Sequence, residues 1–224
     1  MIINSLVLFL SFSNLGMGNG LLNAIAESHG KGDREAARRY ISSAYFILPG
    51  IAILLATIFA IAYPFVSWKA IVNVSSPMAI QEAGPAIATF MLCFLIGIPV
   101  GIVHNIQIGY QEGFIDNIWE VVGKIAGLGG VILAITLKAG LVWLILAVSG
   151  IPLLVALLNS GHLFLISRPW LRPGWQFFDR ESSRRLMGAS GYFLIIQVAM
   201  LIGFNSDVLV LAQLIGPAAV AEYS

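Results

Sequence analysis

Charged side chains are scarce in this sequence. Of its 224 residues only 10% are charged and 58% are hydrophobic, and the mean hydropathy is +0.91. Soluble domains carry about 25% charged residues, so this composition excludes a domain that faces water on all sides. The formal net charge of +1 gives no indication of nucleic-acid binding, and we expect no nucleic-acid partner.

The sequence also lacks the residue clusters that metals and catalysis require. Its single cysteine, Cys93, rules out a disulfide framework and lies in an apolar run, where we expect an inert buried thiol. His104 and His162 are far apart and, with one cysteine, have no zinc-site spacing. The acids are scattered, with no Ser/His/Asp set and no pair of carboxylates. We therefore expect no metal site, no catalytic residue and no enzyme activity.

The sequence contains several long apolar runs. Each is about 20 residues or more, the length that spans the hydrocarbon core of a bilayer. No alternation of period two is present, which favours helices over a closed barrel. The sequence therefore predicts an all-α polytopic membrane protein with about six visible transmembrane helices. The predicted spans are Met1–Ala26, Tyr40–Trp68, Gly84–Tyr110, Phe114–Leu137, Gly140–Ile166 and Gly188–Ile215.

The basic residues predict the orientation. Of the 12 lysines and arginines, most lie in two segments, Glu27–Arg39 and Ser167–Met187. Four predicted spans separate these segments, so both can lie on the cytoplasmic side, as the positive-inside rule requires. Within the second segment, Pro173–Met187 is predicted to form an interfacial helix with Trp175, Phe177, Phe178 and Leu186 on its apolar side.

A glycine-rich stretch, Gly16-Met17-Gly18-Asn19-Gly20, lies inside the first apolar run. A nucleotide-binding loop would need a strand before it and a GxGxxG spacing, and neither is present. A signal peptide would need a basic residue before the apolar run, and cleavage would place a basic loop outside. A membrane helix remains, with Gly16 and Gly20 on a small-xxx-small face beside Asn19 and Asn23. Two interpretations stay open, helix packing alone or a polar stripe that contacts substrate.

Two segments resemble a known family. Residues 15–46, LGMGNGLLNAIAESHGKGDREAARRYISSAYF, are similar to the second helix and cytoplasmic loop of the polysaccharide (O-antigen type) flippases. These belong to the multidrug/oligosaccharidyl-lipid/polysaccharide exporter superfamily. Residues 191–224, GYFLIIQVAMLIGFNSDVLVLAQLIGPAAVAEYS, are similar to the seventh helix of the same family.

The resemblance implies a fold of twelve to fourteen helices in two similar bundles. Residues 1–166 would supply five spans of the first bundle, 167–187 a cytoplasmic linker with an interfacial helix, and 188–224 the first helix of the second bundle. The chain would then be a fragment or a truncated gene product.

The implied function is export of a lipid-linked oligosaccharide, such as an undecaprenyl-diphosphate sugar, for cell-surface polysaccharides such as the O-antigen of lipopolysaccharide. The location would be a bacterial or archaeal cytoplasmic membrane. The partners would be the lipid-linked oligosaccharide, membrane lipids and other polysaccharide-assembly proteins. No cofactor is expected beyond proton or sodium coupling.

Four polar residues inside predicted spans complete the candidate site. Lys124 lies near the middle of the fourth span, and Glu120 stands one turn earlier, in the favourable order for an i, i+4 ion pair. The pair either fixes helix position or faces a cavity where Lys124 attracts the lipid diphosphate. Asp207, with Asn205 beside it, either serves packing near the outer interface or binds the coupling ion.

Two other functional classes remain as alternatives. A drug/cation antiporter of the same superfamily shares the helix count, but its second-helix pattern differs from Leu15–Arg39. A membrane-embedded polysaccharide polymerase or ligase would need a large outer loop, and the connection Lys69–Ala83 is too short for one.

Overall fold

The computed structural model describes residues 16–65, 77–193 and 195–196, and all structural statements concern this part of the chain. Its regular structure is helical, without a strand in the described ranges. We number the helices α1 (Met17–Gly30), α2 (Arg34–Ala62), α3 (Pro77–Val100), α4 (Ile102–Gly109), α5 (Gly113–Thr136), α6 (Leu141–Ser167) and α7 (180–193). Single turns of 3₁₀ helix occur at Tyr63–Phe65, Pro169–Leu171 and Trp175–Phe177.

Four of these helical segments are long and apolar enough to cross a membrane. They are Arg34–Phe65, Glu82–Gly109, Gly113–Thr136 and Leu141–Ser167. They confirm the four middle spans that the sequence predicts, and with them an all-α polytopic membrane protein. Most of the first predicted span and nearly all of the last lie outside the described residues.

Helix α6 is not α-helical throughout. Two segments, Leu146–Gly150 and His162–Ser167, are π-helical, and the α-helical segment Ile151–Gly161 lies between them. Pro152 lies directly after the first π-helical segment, and because it has no N–H it donates no backbone hydrogen bond to the turn before it.

Glycines allow close helix contacts. A Cβ on Gly20 would lie 3.4 Å from Ser190 Oγ of α7, so Gly20 packs against a neighbouring helix as expected. A Cβ on Gly109 would lie 2.8 Å from Ile25 Cγ2, so α1 and α4 cross closely there. Gly16 has a φ of 70°, a left-handed conformation that glycine adopts without strain, and α1 begins after it. The Gly16 carbonyl oxygen accepts a hydrogen bond from the Gly20 N–H at 3.2 Å, so Gly16 lies one turn before Gly20 at the beginning of the same helix, and both residues are buried.

Two helices begin with nearly the same sequence, DREAARR at 33–39 and DRESSRR at 179–185. Asp33 caps α2 by accepting from the Ala36 backbone N–H at 2.9 Å. Asp179 caps α7 in the same way, accepting from the backbone N–H and the hydroxyl of Ser182 at 2.7 and 2.6 Å. An aspartate at this position satisfies donors that the first helical turn leaves free, so it fixes where each helix begins.

The cap at Asp179 corrects the predicted interfacial helix. Pro173–Met187 is not one helix, because Gly174 is extended and α7 begins only after Asp179. Leu186 is buried in the core at 1% exposure, whereas Trp175 is 79% exposed. Helix α7 also runs across the predicted border between the linker and the last span at 187–188. The division into two bundles stays a prediction.

The two basic segments lie at the same end of the helices, as their separation by four spans predicts. Ser43 of α2 donates to the Asp179 carbonyl oxygen at 3.2 Å, and the Asp179 N–H donates to Ser43 Oγ at 3.3 Å. Arg168 forms an ion pair of 2.6 Å with Glu112, in the turn between α4 and α5. We call this end of the molecule the basic end.

Candidate functional site

A cavity of about 520 Å³ opens between the spans formed by α3 and α4, by α5 and by α6. Its wall is partly apolar, with Phe90, Phe94, Trp119 and Leu153. Its polar lining residues come from all three spans: His104, Asp116, Glu120, Lys124, Ser149 and Asn159. Ionisable side chains inside a span are costly unless they are paired or face water or protein, and they commonly mark a transport pathway.

Three of the ionisable groups form one stripe along α5. Asp116, Glu120 and Lys124 are four residues apart, so they lie on the same face of the helix. Lys124 lies about 12 Å beyond Asp116 at ~1.5 Å per residue. Asp116 is in the first turn of α5, where a negative charge also suits the helix dipole.

The ion pair between Lys124 and Glu120 is present, as their spacing predicts. Lys124 Nζ lies 2.6 Å from Glu120 Oε1. Their side chains are 69% and 51% exposed, so the described helices do not enclose the pair. Both residues line the cavity, where their charges are available to a third group.

A polar network, buried except for His104, closes the wall of the cavity beside this pair. His104 Nδ1 lies 2.5 Å from Asp116 Oδ2. Asn159 Nδ2 lies 3.4 Å from Asp116 Oδ1, a long hydrogen bond. Asn159 and Gln107 exchange two further hydrogen bonds, of 2.9 and 3.0 Å. The network thus joins α4, α5 and α6, and its hydrogen bonds offset the cost of burying Asp116 at 9% exposure.

The sequence alone does not predict the roles of Asp116 and Asn159. Each lies near the end of an apolar run. Their pairing depends on how the helices pack. The four-residue spacing of Asp116, Glu120 and Lys124 was the one available signal, since it places all three on a common helix face.

The other predicted site residues do not join the cavity. Asn19 and Asn23 are exposed on α1 and are not part of its lining. Asp207 and Asn205 lie outside the described residues. Within the described ranges, no three His, Cys, Asp or Glu side chains come together as a metal site would require.

Helical spans and an intramembrane cavity lined by paired charges define a multi-pass membrane protein. A family model described as "Polysaccharide biosynthesis protein" matches residues 1–224. The chain belongs to this family, that of the polysaccharide and O-antigen type flippases, which confirms the resemblance noted in the sequence. No match was found to a curated protein or to a solved structure.

Proposed function

We propose that this chain forms part of a flippase for a lipid-linked oligosaccharide. The cargo would be an undecaprenyl-diphosphate sugar that passes from the inner to the outer leaflet of a bacterial or archaeal cytoplasmic membrane by alternating access. Family membership supports the polysaccharide pathway. The ion pair of Lys124 and Glu120 inside the intramembrane cavity is the observation that carries the proposal.

The negative charge of the proposed cargo requires a cation in the cavity, and the pair of Lys124 and Glu120 provides one. A diphosphate that enters a medium of low dielectric constant needs a cation, because its loss of hydration is otherwise uncompensated. Lys124 supplies one, and Glu120 neutralises it while the cavity is empty. Since the pair is half-exposed rather than enclosed, exchanging the carboxylate for a phosphate requires no opening of the helical core.

The contact between α5 and α6 beside the cavity is close. A Cβ on Gly123 would lie 3.3 Å from Pro152 Cα, and one on Gly127 would lie 3.0 Å from the Ala147 carbonyl oxygen. Small residues let the two helices approach closely, so van der Waals contact holds them together.

We propose transport without covalent chemistry, coupled to a proton or sodium ion at Asp207 and Asn205.

Two variants of Lys124 test the proposal in the complete protein. Lys124→Arg keeps the cation and should retain substantial flipping of a labelled lipid-diphosphate oligosaccharide in proteoliposomes. Lys124→Gln should abolish flipping while the amount of folded protein in the membrane stays normal. Normal flipping by Lys124→Gln, or a loss through misfolding that Glu120→Gln restores, would show that the pair only fixes the helix.

A deletion strain separates the functional classes. Loss of surface polysaccharide with accumulation of cytoplasm-facing lipid-linked intermediate is the result expected for a flippase. Normal glycans with altered dye resistance would instead indicate the drug/cation antiporter. Intermediates that reach the outer leaflet but remain unpolymerised or unligated would indicate the polymerase or ligase.

A further inference from the structure

A second pocket lies at the basic end, between the beginning of α2 and the segment that joins α6 to α7. Its volume is about 520 Å³, and its walls include Arg34, Arg38, Arg39, Trp170, Gln176 and Phe177. None of the residues that line it lines the intramembrane cavity between α4, α5 and α6. We call it the arginine–aromatic pocket.

Two arginines of this pocket rest on aromatic rings rather than on carboxylates. The guanidinium carbon of Arg38 lies 3.5 Å from the centre of the Phe177 ring, and that of Arg34 lies 5.3 Å from Trp170. Neither forms an ion pair with a carboxylate in the described ranges. Arg38 Nε is buried and has no hydrogen-bond partner among the described residues. A buried donor without an acceptor is costly, so Arg38 can turn toward an added anion without losing a hydrogen bond at this atom.

The two acids in the pocket wall do not cancel this positive charge. Glu35 lies 3.7 Å from Arg39 and so compensates a third arginine. Asp179 accepts two hydrogen bonds from Ser182 at the beginning of α7. Three arginines and two acids line the pocket, so its net charge stays positive, and neither Arg34 nor Arg38 is paired with one of the acids.

The aromatic residues beside the pocket place it at the membrane interface. Trp175, 79% exposed, stacks on Phe46 of α2 with ring centres 3.9 Å apart. Phe46 lies about 12 Å beyond Arg38 along α2 at ~1.5 Å per residue, inside the membrane span. Aromatic rings at this depth meet acyl chains, and arginines about two to three turns closer to water meet lipid headgroups.

We propose that the arginine–aromatic pocket binds the phosphate group of an anionic membrane phospholipid. Arg34 and Arg38 stand one turn apart, so both guanidinium groups can reach the same phosphate, and their forked donors match its oxygens. The acyl chains lie against Trp175 and Phe46. The cytoplasmic leaflet, which the basic end is predicted to face, is rich in anionic lipid. This site is independent of the proposed flipping activity.

Lipid binding to the purified chain tests the proposal directly. The chain in neutral detergent is titrated with dioctanoyl phosphatidylglycerol, dioctanoyl phosphatidylcholine or inorganic phosphate, and bound molecules are counted by native mass spectrometry. We expect phosphatidylglycerol to bind more tightly than phosphatidylcholine. Arg34→Gln and Arg38→Gln should each weaken phosphatidylglycerol binding about fivefold, the contribution typical of one basic residue at an anionic surface.

Arg184→Gln is the matched control. Arg184 is exposed on α7, forms no ion pair with a described residue and is not part of either cavity wall, yet its loss removes the same charge. It should leave phosphatidylglycerol binding within twofold of wild type. Trp175→Ala should weaken phosphatidylglycerol binding but not phosphate binding.

Three results would overturn the proposal. An equal loss in Arg184→Gln would show that only the overall charge attracts the lipid. Equal binding of phosphatidylcholine would show that the pocket does not select anions. Inorganic phosphate that binds as tightly as phosphatidylglycerol would assign the pocket to a soluble phosphate compound. If Arg38→Gln misfolds, the Arg34→Gln variant still distinguishes these outcomes, because Arg34 is exposed.

Discussion

Replacing Asn159 by alanine should destabilise the protein more than replacing any exposed asparagine. Asn159 is 3% exposed and forms two hydrogen bonds with Gln107, which is itself 1% exposed. It also donates the long hydrogen bond to Asp116. The variant therefore leaves both polar atoms of the Gln107 amide buried without these partners.

The magnitude follows from those lost hydrogen bonds. A buried polar group left unsatisfied costs about 1–3 kcal/mol in water-soluble proteins. Hydrogen bonds between membrane helices average only about 0.6 kcal/mol, because the unfolded chain in the membrane finds other partners. For the two Gln107 bonds together we expect a loss of roughly 1–4 kcal/mol in the free energy of unfolding.

Reversible unfolding in mixed micelles, followed by tryptophan fluorescence, measures this difference. Asn19→Ala is the control, since Asn19 is exposed on α1, and it should change the unfolding free energy by less than about 0.5 kcal/mol. The double variant Gln107→Leu/Asn159→Leu should recover part of the loss, because it removes both partners at once. Equal effects of Asn159→Ala and Asn19→Ala would refute the argument that this network stabilises the cavity wall.

Two further predictions concern helix contacts and caps. Gly109→Ala should lower the free energy of unfolding by about 1–3 kcal/mol, because the added Cβ would lie 2.8 Å from Ile25 Cγ2. Gly129 faces open space, so Gly129→Ala should leave the free energy of unfolding unchanged in the same assay. Hydrogen bonds from the hydroxyl and the N–H of Ser182 lower the pKa of Asp179 below its ordinary value of 3.8. The stability that these hydrogen bonds confer is therefore fully present above pH 3.8, and it is lost as the pH falls through the lowered pKa. Asp179→Ala should therefore speed amide exchange in the first turn of α7 at pH 6, and the difference from wild type should shrink in acid; a constant difference down to pH 2 would contradict this.

The sequence was sufficient for features that depend on local spacing. An apolar run of about 20 residues has few alternatives to a membrane helix, so the four described spans could be predicted. The pairing of Glu120 with Lys124 follows from the helical repeat alone.

Features set by tertiary packing could not be predicted in this way. His104, Asp116 and Asn159 come from three helices, and only the crossing of those helices brings their side chains together. The beginning of α7 differs from the prediction for another reason. Asp179 has the same local signal as Asp33, an aspartate followed by Arg-Glu and a small residue, but the aromatic residues before it suggested an earlier helix start.

The π-helical segments of α6 determine which of its faces lines the cavity. A π-turn carries about one residue more than an α-turn, and each residue turns an α-helix by about 100°. The segment Leu146–Gly150 therefore rotates everything after it by about that angle relative to an unbroken α-helix. Pro152, Ala156 and Asn159 owe their direction toward α5 to this added residue. Removing one residue from Leu146–Gly150 would leave the composition and hydropathy of the span almost unchanged, yet it would turn Asn159 away from Gln107 and replace the cavity wall with a lipid-facing surface.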